Sequence, residues 1–295
     1  MPSLVGSEMC IRDRLNIGGI FSLSINICTF LYAGMLVHRA KIARVNHLVD
    51  ATPIPNWTLL FSKVIALVKM QIALLAVIMI AGIIFQTYNG YYNFEFGHYF
   101  IELFLLSILG YLVWAFLSVF IQTLIGNPYL GLFVLLVISI GMPFLSLAGI
   151  ELDIYKYNQG PGFRYSDMNG YGILTPFLVY KTYWLLCGLA LLVLSALFWV
   201  RGIPASFRER MSIAASRLKG GYAISLAVFL IAFFSLGFSI YQETVAKGKR
   251  TSSKEFELRR VEWEKKYKKF EDYKQPRVIA VNANMDIFPK ERTFK

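Results

Sequence analysis

Six apolar runs, each longer than twenty residues, take up most of this chain: residues 15–37, 57–85, 99–125, 129–150, 176–200 and 220–241. At 1.5 Å of rise per residue, about 20 residues of helix cross the roughly 30 Å of hydrocarbon in a bilayer. A backbone in lipid must satisfy its own polar groups, so runs of this length commit the chain to membrane-spanning helices. Composition agrees, with 56% hydrophobic and 16% charged residues among 295. No single water-soluble core absorbs that much apolar surface. The chain is therefore expected to be an all-α polytopic membrane protein with six transmembrane helices, followed by an extracytoplasmic helix and an incomplete β-hairpin.

A net charge of +12 would suggest nucleic acid in a soluble protein. Here the cations collect in short connections and in the tail. The connections after runs one and five carry Arg39, Lys41 and Arg44, then Arg201, Arg208, Arg210, Arg217 and Lys219, whereas those after runs two and four carry only Lys156 and Arg164. The positive-inside rule places the first group in the cytoplasm, and with it residue 15 and the C-terminal tail outside. This orientation calls for a further upstream span. The tail shows neither an aromatic-studded basic groove nor a helix-turn-helix pattern, so no nucleic acid is expected as a partner.

Segment 37–63 is basic and interrupted by prolines. Ile42, Val45 and Val49 recur on one helical face, with Arg39, Lys41, Arg44 and Asp50 elsewhere, the pattern of a helix lying at the membrane surface. Thr52, Pro53 and Pro55 stop it, and a new helix opens near Asn56 and Trp57. A second surface helix is expected after Pro204, where Phe207, Met211, Ala214 and Leu218 share a stripe. The outer loop 151–172 is rich in Gly, Asn, Asp and Tyr and reads as an ordered loop or a gate, with Arg164, Tyr165, Asp167, Asn169 and Tyr171 the gate candidates; a solvated connector is the other reading.

Ionisable groups inside lipid are functional candidates. Lys63 and Lys69 lie near the cytoplasmic end of the second run, where their stems can snorkel. Glu102 and Lys181 lie near outer ends, where an ion pair or interfacial water can satisfy them. Asn26, Gln71 and Gln122 either join helices or line a path. No chain of intramembrane carboxylates or histidines appears, which disfavours a proton-driven carrier. Cys28 and Cys187 sit in apolar runs and Cys10 in the leader, without disulfide or metal spacing. His38, His47 and His98 are isolated, and neither HExxH nor GxxxxGK[ST] occurs, so no catalytic or metal-binding residues and no cofactor are expected in this chain.

Beyond residue 242 the composition changes. Residues 243–295 hold 15 Lys and Arg against 9 Asp and Glu. Ser252 and Glu255 read as a capping box for a helix reaching about Tyr273, along which Phe256, Trp263, Tyr267 and Phe270 share a face. After Gln275 and Pro276, the alternation of Ile279, Val281, Ala283, Met285 and Ile287 reads as a half-buried strand, with a turn at 289–291 and a second strand beginning at Thr293. A strand and a stub do not fold alone, so the chain is expected to stop inside a β-domain.

Residues 3–14 (SLVGSEMCIRDR) resemble the translated read-through of a sequencing adapter of the kind met in metagenomic genes, and are set aside as a probable artefactual leader, 1–14. Arg44, Leu48, Asp50, Ala51, Thr52, Pro53 and Lys63 match the cytoplasmic loop of ABC-2 type permeases that docks on a nucleotide-binding subunit. With NPYLG at 127–131, RYSDMNGYG at 164–172 and the tail 265–292, the order of motifs resembles a bacterial family in which an ABC-2 permease is fused to an M1 aminopeptidase. The resemblance implies a permease-like domain at 15–242, an extracytoplasmic linker helix at 243–274 and the start of a peptidase β-domain at 275–295. It also implies a multi-pass protein of the bacterial inner membrane, a separate ABC ATPase partner carrying ATP, and a second permease half or homodimer. Zinc would belong only to a peptidase domain beyond this chain. Two functions follow: a permease coupling ATP hydrolysis by its partner to substrate movement, or a membrane anchor and sensor for an extracytoplasmic aminopeptidase.

Overall fold

The computed structural model describes residues 4–90, 92, 94, 96–146, 148–163, 165, 170–199, 201, 207–247, 253–270, 287–288 and 293–294, with side chains of the first helix from residue 21. The chain divides into two units, Met1–Lys249 and Arg250–Lys295.

The first unit is a helical bundle built from α1 (Leu4–Ile42), α2 (Asn46–Ala51), α3 (Asn56–Tyr88), α4 (Phe96–Phe100), α5 (Ile108–Leu124), α6 (Pro128–Phe144), α7 (Thr175–Phe198), α8 (Phe207–Arg217) and α9 (Gly221–Tyr241). A π-helical stretch, Ile101–Ser107, joins α4 to α5 without a break. Five stretches among the described residues are long and apolar enough to cross a membrane: Phe21–Ile42, Asn56–Tyr88, Phe96–Leu124, Thr175–Phe198 and Gly221–Val245. The chain is thus an all-α, membrane-embedded protein.

The fourth apolar run, expected over 129–150, forms a helix shorter than expected. Its helix α6 is 17 residues long and ends at Phe144. Pro143 lies inside its last turn and has no N–H to give the ladder, and Gly149 at φ +89° then turns the chain. The start is well made: the Asn127 side chain accepts from the Tyr129 N–H at 2.9 Å, with Pro128 in the first turn.

α5 is apolar on all sides, and every residue from Val113 to Val119 is buried. It is the central helix, with α1, α3, α6 and α7 packed around it. One core group joins Phe30, Trp114, Leu135, Tyr157, Tyr183 and Trp184. Another joins Ala33, Leu60, Leu67, Phe116, Val119 and Ala196. Helices approach closely where a residue is small: a Cβ on Gly188 of α7 would lie 2.5 Å from the Phe116 ring. The outward faces of α3, α6 and α9 keep Phe61, Ile84, Phe133, Ile231 and Phe234 exposed. Such faces suit lipid, not water.

The second unit contains α10 (Ser253–Tyr267), continued by a 3-10 turn, Lys268–Phe270. Phe256, Trp263, Tyr267 and Phe270 are all exposed along it. The capping residue Ser252 and the strand expected over 279–286 lie outside the described residues. Ile287–Phe288 pairs antiparallel with Thr293–Phe294, a two-residue ladder too short to form a domain by itself.

Candidate functional site

One end of the bundle gathers the basic connections, and segment 37–63 lies there. The single surface helix expected through Ile42, Val45 and Val49 is corrected, because two helices meet at a left-handed residue. Arg39 and Lys41 close the last turn of α1, where cations meet its negative dipole end. Arg44 then takes φ +57°. The Val45 N–H reaches the Ala40 carbonyl at 3.0 Å and the Arg44 N–H reaches Lys41 at 3.1 Å, the pair of bonds that defines a Schellman C-cap. Arg44 fills the position that glycine normally takes in this motif.

After this turn α2 runs only six residues, with Leu48 73% exposed at its surface and Ala51 exposed beside it. Asp50 is half-buried. Thr52 ends α2 by donating its hydroxyl to the Val49 carbonyl at 2.6 Å, and Pro53 and Pro55 lead into α3. Arg201, beyond the end of α7, donates to the carbonyls of Thr52, at 3.2 Å, and Ile54. Lys63 donates to the Leu36 carbonyl at 2.7 Å and sits over the Trp199 ring, which ties α3 to α1.

Other cations at this end do similar work. Arg210 of α8 reaches the carbonyls of Thr123 and Leu124, at 3.5 and 3.2 Å, which end α5. Arg217 reaches the carbonyls of Leu197 and Trp199, at 3.5 and 2.6 Å, which end α7. Read from the sequence, these arginines carried only a topological meaning. In the fold each satisfies backbone oxygens that a helix C-terminus leaves open.

Of the intramembrane polar residues, two sit at helix junctions. Gln71 is fully buried, and its amide donates to the Tyr111 carbonyl at 3.0 Å and to Thr29 Oγ1 at 3.3 Å, bonding α3 to α5 and α1. Gln122, equally buried, donates to the Pro128 carbonyl at 3.2 Å and fills the gap left by Gly34 and Gly131. Asn26 is half-buried with an unpartnered Oδ1, Lys69 is exposed on α3, and Glu102 is half-buried in the π-helical stretch.

At the opposite end, residues 153–159 of the long loop, ahead of the gate candidates, pack against the bundle. Ile154, Lys156 and Tyr157 are buried. The Tyr157 hydroxyl donates to the Val113 carbonyl at 2.8 Å, and burial pushes its phenol well above the usual tyrosine value. Asn158, at φ +61°, donates to Gly110, and Lys181 donates to the carbonyl and Oδ1 of Asn158 at 3.0 and 2.8 Å. Trp184 Nε1 donates to the Gln159 carbonyl at 2.9 Å. Lys156 bonds Ser146 at 2.8 Å and pairs with Asp153 at 3.6 Å. The segment plugs this end of the bundle. Tyr165 and Tyr171 are half-buried and pack against His98 with tilted rings, and the His98 Nδ1 lies 3.2 Å from the Tyr171 hydroxyl. Arg164, Asp167 and Asn169 lie outside the described residues.

Among the described residues no group of three or more His, Cys, Asp or Glu side chains is placed to hold a metal. No protein-family model, curated protein or solved structure matches this chain. Fold and composition define a helical membrane protein whose two ends differ in construction: basic, with arginine-capped helices, at one, and closed by an aromatic plug at the other.

Proposed function

We propose that the chain is a permease domain of ABC-2 type, driven by a separate ATP-hydrolysing subunit that docks on α2 at the basic end, taken as cytoplasmic, and moves a substrate across the bacterial inner membrane. The observation that carries this reading is the segment 44–54: a short helix with an exposed leucine, held by a left-handed turn before it and an arginine clamp after it. A surface that receives force must be exposed yet firmly joined to the spans, and both conditions are met here. The buried Gln71 and Gln122 contacts support the role of the bundle as one mechanical unit.

The test is the ATPase rate of the purified complex in membranes. Leu48→Asp and Asp50→Ala are expected to cut chain-dependent ATP hydrolysis at least tenfold with the bundle still folded. Hydrolysis that is indifferent to both substitutions would sink the proposal.

A second reading is favoured by the partition of 250–295 into its own unit. On it, the spans anchor an extracytoplasmic M1 aminopeptidase, and no motor is needed. Peptidase activity that co-purifies with the chain and persists without any ATPase partner would favour it.

A further inference from the structure

We propose that the basic end holds a binding site for a phosphate group, either inorganic phosphate or the phosphate of a lipid headgroup, between α1, α5, the end of α7 and α8. A partly open cavity of about 50 Å³ lies there, lined in part by His38, Lys41, Gln122, Thr123, Trp199 and Arg210. At about 10–15 Å³ for each water position it has room for roughly three to five waters, the space of one tetrahedral anion.

The charge balance of the lining is positive. Among the described residues no carboxylate lines the cavity, and Lys41 and Arg210 are close enough to repel each other. Asp50 offsets part of the Lys41 charge from α2. The C-terminal dipoles of α1, α5 and α7, each equivalent to roughly half a charge, offset part of Lys41 and Arg210, while Arg39 and Arg217 add cations at the ends of α1 and α7. A cationic remainder is left at the end of the bundle where headgroups would lie.

Hydrogen bonding points the same way. The His38 ring, 3% exposed, interacts with Gln122 and Ile125, but its Nε2 is in no hydrogen bond of good geometry, and neither is the buried Nε of Arg210. The Arg210 Nη1 is fixed on the Thr123 and Leu124 carbonyls, so the direction of its remaining N–H groups is set in advance. Gln122 Oε1 is also unpartnered, because the amide is oriented by the Nε2 bond to Pro128. Waters filling the cavity would pair the orphaned atoms but leave the two cations facing each other. An anion neutralises the pair and accepts from Arg210 Nε and from a protonated His38 Nε2, so a phosphate can accept from α1 and α8 at once, while a water serves the Gln122 Oε1 acceptor. The site does not depend on the transport reading.

The test uses the full chain in a phosphate-free sugar detergent, titrated separately with inorganic phosphate and with dioctanoyl phosphatidylglycerol. Binding is read from the unfolding temperature and from tryptophan fluorescence, since Trp199 lines the cavity. Saturable binding is expected, at least tenfold weaker in Lys41→Gln and in Arg210→Gln, restored in Lys41→Arg, and unaffected by Lys219→Gln. Saturation by phosphate alone identifies a soluble ligand, and saturation by the lipid alone identifies a headgroup. If Arg210→Gln does not fold, Lys41→Gln decides. Folded wild-type protein that saturates with neither ligand overturns the proposal, as does equal binding by wild type and Lys41→Gln.

Discussion

Arg201 donates a hydrogen bond to the carbonyl oxygen of Thr52 at 3.2 Å, so the far side of α7 holds the segment that follows α2. The residues are 149 positions apart in sequence. This clamp joins the segment after α2 to the chain just beyond α7.

Replacing Arg201 with alanine should loosen that segment locally. A hydrogen bond to a charged group contributes about 1.5–3 kcal/mol, reduced here to about 1 kcal/mol because the site is partly exposed. Amide exchange over 46–54 should quicken about fivefold, with the spans unchanged. Unaltered exchange would mean that Arg201 does not hold the segment.

Arg44→Gly separates stability from docking. A non-glycine residue at φ +57° carries about 1 kcal/mol of strain that glycine does not. The variant should unfold at a slightly higher temperature and yet couple less well to a partner ATPase. A clear drop in the unfolding temperature would show that the Arg44 side chain, not the turn, is the stabilising element.

Gly188 lets α7 approach the Phe116 ring of α5 closely. A methyl group there would sit 2.5 Å from Phe116, so Gly188→Ala should cost about 1–3 kcal/mol, in line with other overpacked cores. Gly188→Ala with Phe116→Leu should recover part of the loss. Equal stability of Gly188→Ala and wild type would show that the helices part easily at this point.

The plug should titrate at high pH. The raised folded-state pKa of Tyr157 keeps its phenol neutral, so its contribution to stability is complete below about 10, the ordinary tyrosine value, and is lost as pH rises from there toward the folded value. Unfolding temperatures should fall above pH 10 in wild type and fall less steeply in Tyr157→Phe. Tyr157→Phe should also cost about 1 kcal/mol at neutral pH through loss of the Val113 bond. Identical alkaline profiles would place the titrating group elsewhere.

The spans were legible because long apolar runs have one stable outcome in lipid. α3 opens at Asn56, where Pro53 and Pro55 forbid an earlier start. The length of α6 was misread because hydropathy continues past Pro143 while the hydrogen-bond ladder does not. The turn at Arg44 was hidden, since a left-handed position is normally announced by glycine or asparagine. Arg201, Arg210 and Arg217 read as loop charges because sequence does not show which helix end a long side chain reaches. The plug was missed for a similar reason: Tyr157 and Asn158 lie in a polar stretch, and their burial depends on carbonyls of α5 more than forty residues away.

The central claim, that α2 is the seat of an ATP-driven partner, is tested most directly by cross-linking. With Cys10, Cys28 and Cys187 replaced by serine, single cysteines are placed at Leu48, 73% exposed on α2, and at Tyr88, 88% exposed at the end of α3 away from the basic end. A short bifunctional reagent should join Leu48→Cys to a nucleotide-binding subunit, with a yield that changes when ATP is added, and should leave Tyr88→Cys unlinked. No cross-link at position 48, or equal yields at both positions, would contradict the account.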